Sequence, residues 1–313
     1  MARPRALATL LIAAACAGGD DTSAGGATTT GAASTTTSAA TGEPTSTSGE
    51  ATSGEATTGE TTGAPALACN GHPALCDRRL DEVTLPATHN SFSAADDGFP
   101  PINANHRRGV AQQLADGVRG LLLDVTLDGD ETVLCHGPCW LASIPHAAVL
   151  ADLADFLAAN PREVVVIIYQ DSAPPERVAA DLEDAGLADL VWTWDGGPLP
   201  TLGAMIDADA RLVVSAESAG PPPAWYHHAW DLFWDTPYSF KSAAEFSCAL
   251  NRGAAANPLF LVNHWLYSDL DLPTEAGAQE VNTYAVLHAR AELCAAEAGR
   301  PPTLLAVDFY ESG

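Results

Sequence analysis

Short apolar runs alternate with longer Ala/Leu-rich stretches from about residue 67 to the end of the chain. The run at 164–169, Val-Val-Val-Ile-Ile-Tyr, is apolar throughout, which indicates a strand buried on both faces. Further strands are predicted at residues 82–87, 120–126, 190–194, 211–215, 259–263 and 304–309. Helices are predicted at residues 110–117, 147–160, 175–187 and 275–297.

Strands that alternate with helices predict an α/β fold with a parallel sheet and right-handed crossovers. Seven visible strands, with an eighth within residues 225–240, fit a TIM-type (β/α)8 barrel. A doubly wound sheet is the alternative, but no glycine-rich phosphate loop follows the first predicted strand. In a barrel we expect the functional side chains at the carboxyl ends of the strands.

Residues 1–66 have a different composition and predict two processing segments. Residues 1–16 combine a basic start, a short apolar run and small residues before Cys16, which is typical of a signal peptide. A cysteine at this place resembles a bacterial lipobox and predicts lipid on Cys16; an ordinary signal peptide with an incidental cysteine is the alternative. Residues 17–66 are rich in Thr, Ser, Gly, Ala and Glu and predict a flexible tether, since almost nothing apolar can be buried. We therefore expect an exported protein, anchored by lipid to a bacterial cell envelope or secreted, whose folded domain spans residues 67–313.

The cysteine count agrees with export. Six cysteines remain after Cys16, and an even number in an exported chain favours disulfides. A zinc site is the alternative, although the chain has no C-x-x-C pair. The expected pairs are Cys69 with Cys76, Cys135 with Cys139, and Cys248 with Cys294.

The charge of the chain excludes one class of partner. The formal net charge is −26 at pH 7, so the surface would repel a nucleic acid. The same charge gives little electrostatic attraction to anionic lipid. Six tryptophans lie in the second half of the chain, where an exposed group would suit a lipid–water interface. They are Trp192, Trp194, Trp225, Trp230, Trp234 and Trp265.

Four segments carry polar residues in phase with the predicted strand ends. They are 85–92 (Leu-Pro-Ala-Thr-His-Asn-Ser-Phe), 117–124 (Gly-Val-Arg-Gly-Leu-Leu-Leu-Asp), 134–137 (Leu-Cys-His-Gly) and 306–310 (Ala-Val-Asp-Phe-Tyr). Together they supply His89, Asp124, His136 and Asp308. One isolated histidine is more often a core residue, but histidines in this phase favour a site for proton transfer.

In this order and spacing the four segments resemble the X domain of phosphatidylinositol-specific phospholipase C, in particular the short bacterial and plant proteins that consist of this domain alone. The resemblance runs from about Cys69 to the chain end and implies a distorted TIM-type barrel. It also implies cleavage of a phosphatidylinositol-type lipid headgroup through a cyclic phosphate. By resemblance, His89 is the base, His136 is the acid that protonates the leaving oxygen, and Asp308 orients His89.

The resemblance also implies a site for Ca2+. Asn90 and Asp124 stand where calcium-dependent members hold the metal, and Gln170 stands at a further ligand position. Leu122 and Gln170 replace carboxylates, so the expected site has little negative charge and binds calcium weakly. Glu217 and His264 follow later strands and are expected to line the substrate pocket.

Two other functions stay open at this point. A glycerophosphodiesterase or a sphingomyelinase-D-like enzyme could use a similar barrel, but would need a cluster of magnesium-binding carboxylates near the first histidine. Asn90 and Leu122 count against that cluster. The second alternative is a non-catalytic, surface-tethered binding module that has lost part of its site.

Overall fold

The computed structural model describes residues 67–313, and the signal peptide and tether predicted for residues 1–16 and 17–66 lie outside them. Eight parallel strands of this part curl into an open barrel in the order β7-β6-β5-β2-β1-β10-β9-β8, and β3 and β4 add an antiparallel extension to β2. The strands are β1 (Leu85–Thr88), β2 (Gly120–Asp128), β3 (Glu131–Leu134), β4 (Ile144–Pro145), β5 (Val165–Asp171), β6 (Leu212–Ala216), β7 (His227–His228), β8 (Phe233–Asp235), β9 (Leu259–Asn263) and β10 (Leu304–Val307). No helix in the described range is long and apolar enough to cross a bilayer.

The helices mostly follow the strands along the chain. The α-helices are α1 (Val110–Ala115), α2 (His146–Ala159), α3 (Pro175–Asp184), α4 (Leu202–Asp207), α5 (Ala229–Leu232), α6 (Glu275–Val281) and α7 (Tyr284–Ala298). Short 3-10 helices cover Pro73–Leu75, Leu80–Glu82, Ala95–Asp97, Ala188–Leu190, Ala243–Glu245 and Tyr310–Ser312. The α/β barrel predicted from the alternation is therefore confirmed, with the distortion that the circle of strands stays open between β7 and β8.

Two predicted elements differ from the structure. The strand predicted at 190–194 is wrong: only Val191 pairs, in an isolated bridge with Leu212, before the chain turns away at Gly196, which has a φ of +85°. The helix predicted at 275–297 is two helices, because Asn282 leaves the helical path and its side chain donates to the carbonyls of Asp308 and Phe309. The hidden strand predicted within 225–240 is present as the two short strands β7 and β8.

Alternate residues of the strands face the barrel interior. Residues from different strands pack against one another in the interior of the barrel. They include Leu85, Ala87, Val166, Ile168, Val213, Phe233, Leu259, Leu261, Leu304 and Ala306. The intervening residues pack in separate clusters against the helices. This alternation follows from the period of two in a strand, and it fixes which residues reach the interior at the carboxyl ends.

Arg252 bridges the open side of the barrel. Its Nη1 donates to Glu217 just after β6 at 2.9 Å, and its Nη2 donates to the buried Asp235 of β8 at 2.6 Å. The guanidinium lies 4.0 Å from the ring centroid of Trp230 in α5, the short helix that directly precedes β8. The pairing of one cation with carboxylates from both sides compensates for the strand hydrogen bonds that the open side lacks.

The three disulfides expected from the sequence are present: Cys69–Cys76, Cys135–Cys139 and Cys248–Cys294. The second closes the loop that follows β3, and the third ties α7 to the segment after β8. The second therefore ties down the loop that carries His136, where regular hydrogen bonding is absent.

Gly120 is required where β1 and β2 approach most closely. A Cβ at this position would lie 2.5 Å from Cβ of Ala87 and 2.9 Å from Cδ2 of Leu304. We predict that Gly120→Ala lowers the free energy of unfolding by about 1–3 kcal/mol through overpacking. Chemical denaturation of the purified domain measures this difference.

The control for this prediction is the double variant Ala87→Gly/Gly120→Ala, which removes the closest clashing atom. It should be less destabilised than the sum of the two single variants. Additive losses would show that contact with Ala87 does not cause the destabilisation, and a Gly120→Ala variant as stable as the wild type would show that the strands accept the methyl group at no cost.

Candidate active site

Polar side chains continue the interior rows at the carboxyl ends of the strands. In β1, for example, Leu85 and Ala87 face the interior and His89 is the next residue in the same row. Because the strands are parallel, the residues that end these rows meet at one mouth of the barrel. They are His89, Asp124, Gln170, Glu217, Asp235, Asn263 and Asp308.

His89 is fixed by a carboxylate and by an aromatic ring. Its Nδ1 donates to Oδ1 of Asp308 at 2.9 Å, and Asp308 is buried. The indole of Trp265 stacks on the imidazole, with ring centroids 4.0 Å apart and planes 2° from parallel. The carboxylate selects the tautomer with the proton on Nδ1, so Nε2 is the atom that can exchange a proton.

His136 faces His89 from a separate loop. It follows β3, and the two ring centroids are 6.4 Å apart. Burial lowers the pKa of His136 to about 4; nearby His89 lowers it further and Asp308 partly offsets the effect. Its Nδ1 is buried and has no hydrogen-bond partner among the described residues. The ring is therefore neutral at neutral pH and has an unused nitrogen.

Asn90 lies between Asp124 and His89. With its amide nitrogen toward Asp124, it donates to Oδ1 at 3.1 Å and Oδ2 at 3.2 Å. Its oxygen then lies 3.3 Å from Nε2 of His89 and accepts from this nitrogen when the imidazole carries its second proton. Burial raises the pKa of Asp124 to about 7; His89 opposes this rise and Glu217 adds to it. Near neutral pH the protonated form of Asp124 is therefore far more favoured than that of an ordinary aspartate. The carboxyl group of Asp124 does not pair with Arg119 of the same strand segment, because Nε of Arg119 donates to Oε2 of Glu163 at 2.7 Å.

The predicted calcium ligands are close in the fold but supply little charge. Asp124 and Gln170 are paired residues of the parallel strands β2 and β5, so their side chains share a face, and Asn90 contacts Asp124. Asp124 is the one carboxylate among these three residues. No group of three or more His, Cys, Asp or Glu residues within the described range is arranged to hold a metal ion. Calcium binding stays a prediction, and a cation here would compete with the proton of Asp124.

The two predicted substrate-binding residues have different positions. Glu217 lies at the mouth and accepts from Arg252, and burial raises its pKa. His264 is not part of this cluster: it is fully buried, donates from Nε2 to the carbonyl of Val281 at 3.0 Å and packs against Phe246. The strand period explains the difference, because Asn263 faces the interior and His264 therefore points outward.

The tryptophans noted in the sequence are not exposed. Trp234 and Trp265 are buried and the other four are partly buried. Trp140, which no motif marks, has 79% of its surface exposed and directly follows the disulfide-closed loop of His136.

Several site residues have no recognisable sequence signal. Asn105 donates to Oδ1 of Asp308 at 2.9 Å, and Asn103 donates to the backbone carbonyl of His136 at 3.2 Å. His106 donates to the backbone carbonyl of His89 at 2.7 Å. The three residues lie in the irregular chain between β1 and α1, where no periodicity predicts their direction.

We predict that His136 titrates near pH 4 in the folded protein, far below an ordinary histidine. Proton NMR of the imidazole resonances, assigned with His136→Gln, measures the midpoint. Asp308→Asn should lower the midpoint further, because the charge of Asp308 raises the pKa of His136. A midpoint at the ordinary value of about 6.5 would show that the ring is solvated.

Three curated proteins are similar to this chain, and two of them are named for a PI-PLC X domain. The chain is 27% identical over 273 residues to a PI-PLC X domain-containing protein 1 of Arthroderma benhamiae, covering 80% of this chain and 87% of that protein. It is 28% identical over 272 residues to an uncharacterized secreted protein of the same fungus, covering 78% of this chain and 60% of that protein. A PI-PLC X domain-containing protein of Arabidopsis thaliana is 27% identical over 271 residues, covering 79% of this chain and 61% of that protein.

Solved structures share the fold. The phosphatidylinositol-specific phospholipase C of Listeria monocytogenes aligns with a TM-score of 0.52 and 17% identity, covering 76% of this chain and 92% of that chain. The enzyme of the same name from S. aureus aligns with a TM-score of 0.51 and 13% identity, covering 75% of this chain and 88% of that chain. At these identities the likeness establishes the fold alone. The family model described as PI-PLC X 1 matches residues 75–313, and the chain belongs to the PI-PLC X family.

Proposed function

We propose that this protein is a phosphodiesterase that cleaves the headgroup of a phosphatidylinositol-type lipid by acid–base catalysis from two histidines. The observation that carries the proposal is the pair of facing imidazoles at the barrel mouth, His89 bound to the buried Asp308 and His136 with its ring centroid 6.4 Å from that of His89. A phosphate between the two rings would place one proton acceptor and one proton donor on opposite sides of the phosphorus.

The reaction assigns one proton to each ring. Nε2 of His89 removes the proton from the ring hydroxyl next to the phosphodiester, and that oxygen bonds to phosphorus. The bond from phosphorus to the diacylglycerol oxygen breaks, and His136 donates a proton to this oxygen. Water opens the cyclic phosphate in a second step in which the two histidines exchange roles, so no proton is gained or lost overall.

The substrate itself supports the acid role of His136. Its pKa of about 4 belongs to the free site, where burial disfavours the cation. An anionic phosphodiester next to the ring would favour the charged form and raise this pKa. His136 would then take up a proton as the substrate binds. Asp308 acts on the other ring, since its buried carboxylate stabilises the imidazolium that forms on His89.

The mouth provides little positive charge to stabilise the transition state. Arg252 is compensated by Glu217 and Asp235. Protonation of Asp124 removes one negative charge from the neighbourhood of the phosphate. If Ca2+ binds, Asn90, Asp124 and Gln170 would hold it, and it would supply positive charge toward the phosphate oxygens.

An exposed apolar rim supports a lipid as the substrate. Four exposed hydrophobic residues lie in loops that follow the carboxyl ends of strands: Ile102, Trp140, Leu250 and Leu270. Three of these loops adjoin the site. Asn103, next to Ile102, binds the His136 carbonyl, and Trp140 lies in the loop that carries His136 itself. Trp265, which stacks on His89, precedes the Leu270 loop. Aromatic and aliphatic side chains in such a position suit the interfacial region of a membrane.

Three disulfides support an exported location, because such bonds persist in oxidising compartments. A relative described as a secreted protein is consistent with this location. The lipid anchor on Cys16 stays a prediction, since that residue lies outside the described range.

The catalytic proposal predicts that His89→Ala, His136→Ala and Asp308→Asn each lower turnover of phosphatidylinositol by at least about 10²-fold, because each removes part of the proton transfer. Release of inositol cyclic phosphate from phosphatidylinositol micelles, with calcium or with a chelator, measures the effect. His264→Gln is the matched control, because His264 points away from the mouth, and its turnover per folded molecule should remain near that of the wild type.

Calcium-dependent turnover would support the metal site, and turnover in the chelator would assign the reaction to the histidines alone. Turnover of glycerophosphodiesters or sphingomyelin in place of phosphatidylinositol would move the chain to the other enzyme class. A wild-type protein that cleaves none of these lipids but binds them would be a binding module.

The rim proposal predicts that Trp140→Ala weakens binding to neutral phosphatidylcholine vesicles by about 10- to 100-fold, since burial of a large apolar side chain contributes about 1.5–3 kcal/mol. Vesicle sedimentation measures the affinity. Leu293→Ala is the control, because Leu293 is exposed on α7 and outside the rim loops. Equal affinities for Trp140→Ala and the wild type would remove the rim from lipid contact.

A further inference from the structure

Four consecutive residues between β1 and α1 are buried although they have no regular secondary structure. Asn103, Ala104, Asn105 and His106 each have 6% or less of their surface exposed, while Ile102 and Arg107 on either side are exposed. A loop segment with three polar side chains at this depth needs partners for them. We call residues 103–106 the polar strap.

Each polar side chain of the strap contacts at least one of the three candidate catalytic residues, and Nδ2 of Asn105 also lies 3.4 Å from Nδ1 of His89. Asn105 Nδ2 donates to Oδ1 of Asp308 at 2.9 Å. His106 Nε2 donates to the backbone carbonyl of His89 at 2.7 Å. Asn103 Nδ2 donates to the backbone carbonyl of His136 at 3.2 Å.

The strap is itself fixed by backbone hydrogen bonds. The amides of Asn105 and His106 both donate to the carbonyl of Ser93, at 2.8 and 3.1 Å. The carbonyl of His106 accepts from Ala95 at 2.9 Å, and the carbonyl of Asn105 accepts from Phe309 at 2.7 Å. The last bond joins the strap to the residue that follows Asp308.

The catalytic residues need such a common support. His89 and Asp308 follow the adjacent strands β1 and β10, whose pairing fixes their relative height. His136 lies on the hairpin extension after β3, and that extension does not pair with β1 or β10. The sheet therefore reaches His136 only indirectly, through the pairing of β3 with β2 and of β2 with β1. Proton transfer depends steeply on the distance from His136 to His89, so a more direct support for His136 matters.

We propose that the polar strap is a positioning element, which holds His89, Asp308 and His136 in one geometry from a single rigid segment. Asn105 acts through Asp308, while Asn103 and His106 act through the backbones of the two histidines. The inference rests on the proposed function for its kinetic test, but the geometry of the strap can be measured without turnover.

The kinetic test uses the full chain with Asn103→Ala and Asn105→Ala. Each should lower kcat for phosphatidylinositol on the order of 10²-fold and leave KM unchanged, because the groups that would touch substrate remain. His106→Gln, which keeps an N–H donor, should retain more of kcat than His106→Ala. Asn70→Ala is the matched control: it removes two side-chain hydrogen bonds to Val164 at the opposite end of the barrel and should leave kcat unchanged.

The second measurement is the proton NMR signal of Nδ1–H of His89, assigned with His89→Gln. In Asn105→Ala this signal should shift or broaden, because Asp308 loses the donor that orients it. The Nδ1–H signal of His146, which donates to Asp181 at 2.8 Å away from the mouth, is the internal reference and should not change. Should Asn105→Ala fail to fold, the nearly isosteric Asn105→Asp takes its place.

The two measurements separate the strap from the catalytic proposal. Wild-type kcat and an unchanged His89 signal in Asn103→Ala and Asn105→Ala would overturn the positioning role. A wild-type protein without turnover would count against the catalytic proposal, and the His89 signal would then decide on the strap alone. Equal losses in the Asn70 control and the strap variants would show a general loss of stability.

Discussion

The parallel direction of the strands is the constraint on which the site depends. In each parallel strand every second side chain faces the interior, and all carboxyl ends lie at the same mouth. The interior rows are apolar through most of their length, as in Leu304 and Ala306 of β10, and become polar at Asp308. The apolar part excludes water from below, and the polar part gathers ionisable groups from distant positions of the chain. The geometry of His89 and Asp308 is thus a consequence of the pairing of β1 with β10.

Exclusion of water then controls the charges at the mouth. Burial raises the pKa of Asp124 and lowers the pKa of His136, so both groups tend toward their neutral forms. Charged groups persist where they are paired, as Asp235 is with Arg252. A protein with a net charge of −26 can in this way keep the negative charge at its mouth low. The charge at the mouth therefore differs in origin from the charge of the surface. Burial controls which groups at the mouth are ionised, whereas the net negative charge of the surface acts by repulsion over longer distances.

The parts of the fold that follow from periodicity could be predicted from the sequence. The apolar run that became β5 and the strand-end positions of His89, Asp124 and Asp308 follow from the period of strands and the rule for barrels. The strand predicted at 190–194 failed because apolar residues alone do not show whether a neighbouring edge is free, and β7 occupies the edge of β6 beyond Leu212. The position of His264 after a strand predicts a place at the pocket. Successive residues of a strand point to opposite faces, however, so Asn263 faces the interior and His264 faces outward.

Contacts made by irregular segments could not be predicted. No periodic signal marks Asn103, Asn105 and His106. Their hydrogen bonds to the site form because the loop passes the ends of three strands. Trp265 was visible as a tryptophan, but its stacking on His89 needs the relative position of β9 and β1 in space. Arg252 also lies outside every predicted element, and its role arises because the barrel is open between β7 and β8. Sequence periodicity reports regular backbone, whereas the support of a site comes largely from tertiary contacts of loops.

The charge of Asp124 and the binding of calcium are one physical question. A carboxyl whose pKa is about 7 in the free protein is partly neutral under ordinary conditions, and a divalent cation needs its ionised form. If calcium binds here, it would displace the proton of Asp124, and its affinity would rise with pH in the range where this carboxyl titrates. In its protonated form Asp124 carries no charge that would repel a bound phosphate, and a bound cation would attract one. Protonation and metal binding both reduce the negative potential at the same place. Leu122 and Gln170 stand where the family resemblance implies carboxylates, and their lack of charge is compatible with a protonated or a metal-bound Asp124. Because the site has few carboxylates, a proton on Asp124 can neutralise part of their negative charge. A site with more carboxylates would need a metal ion to do this.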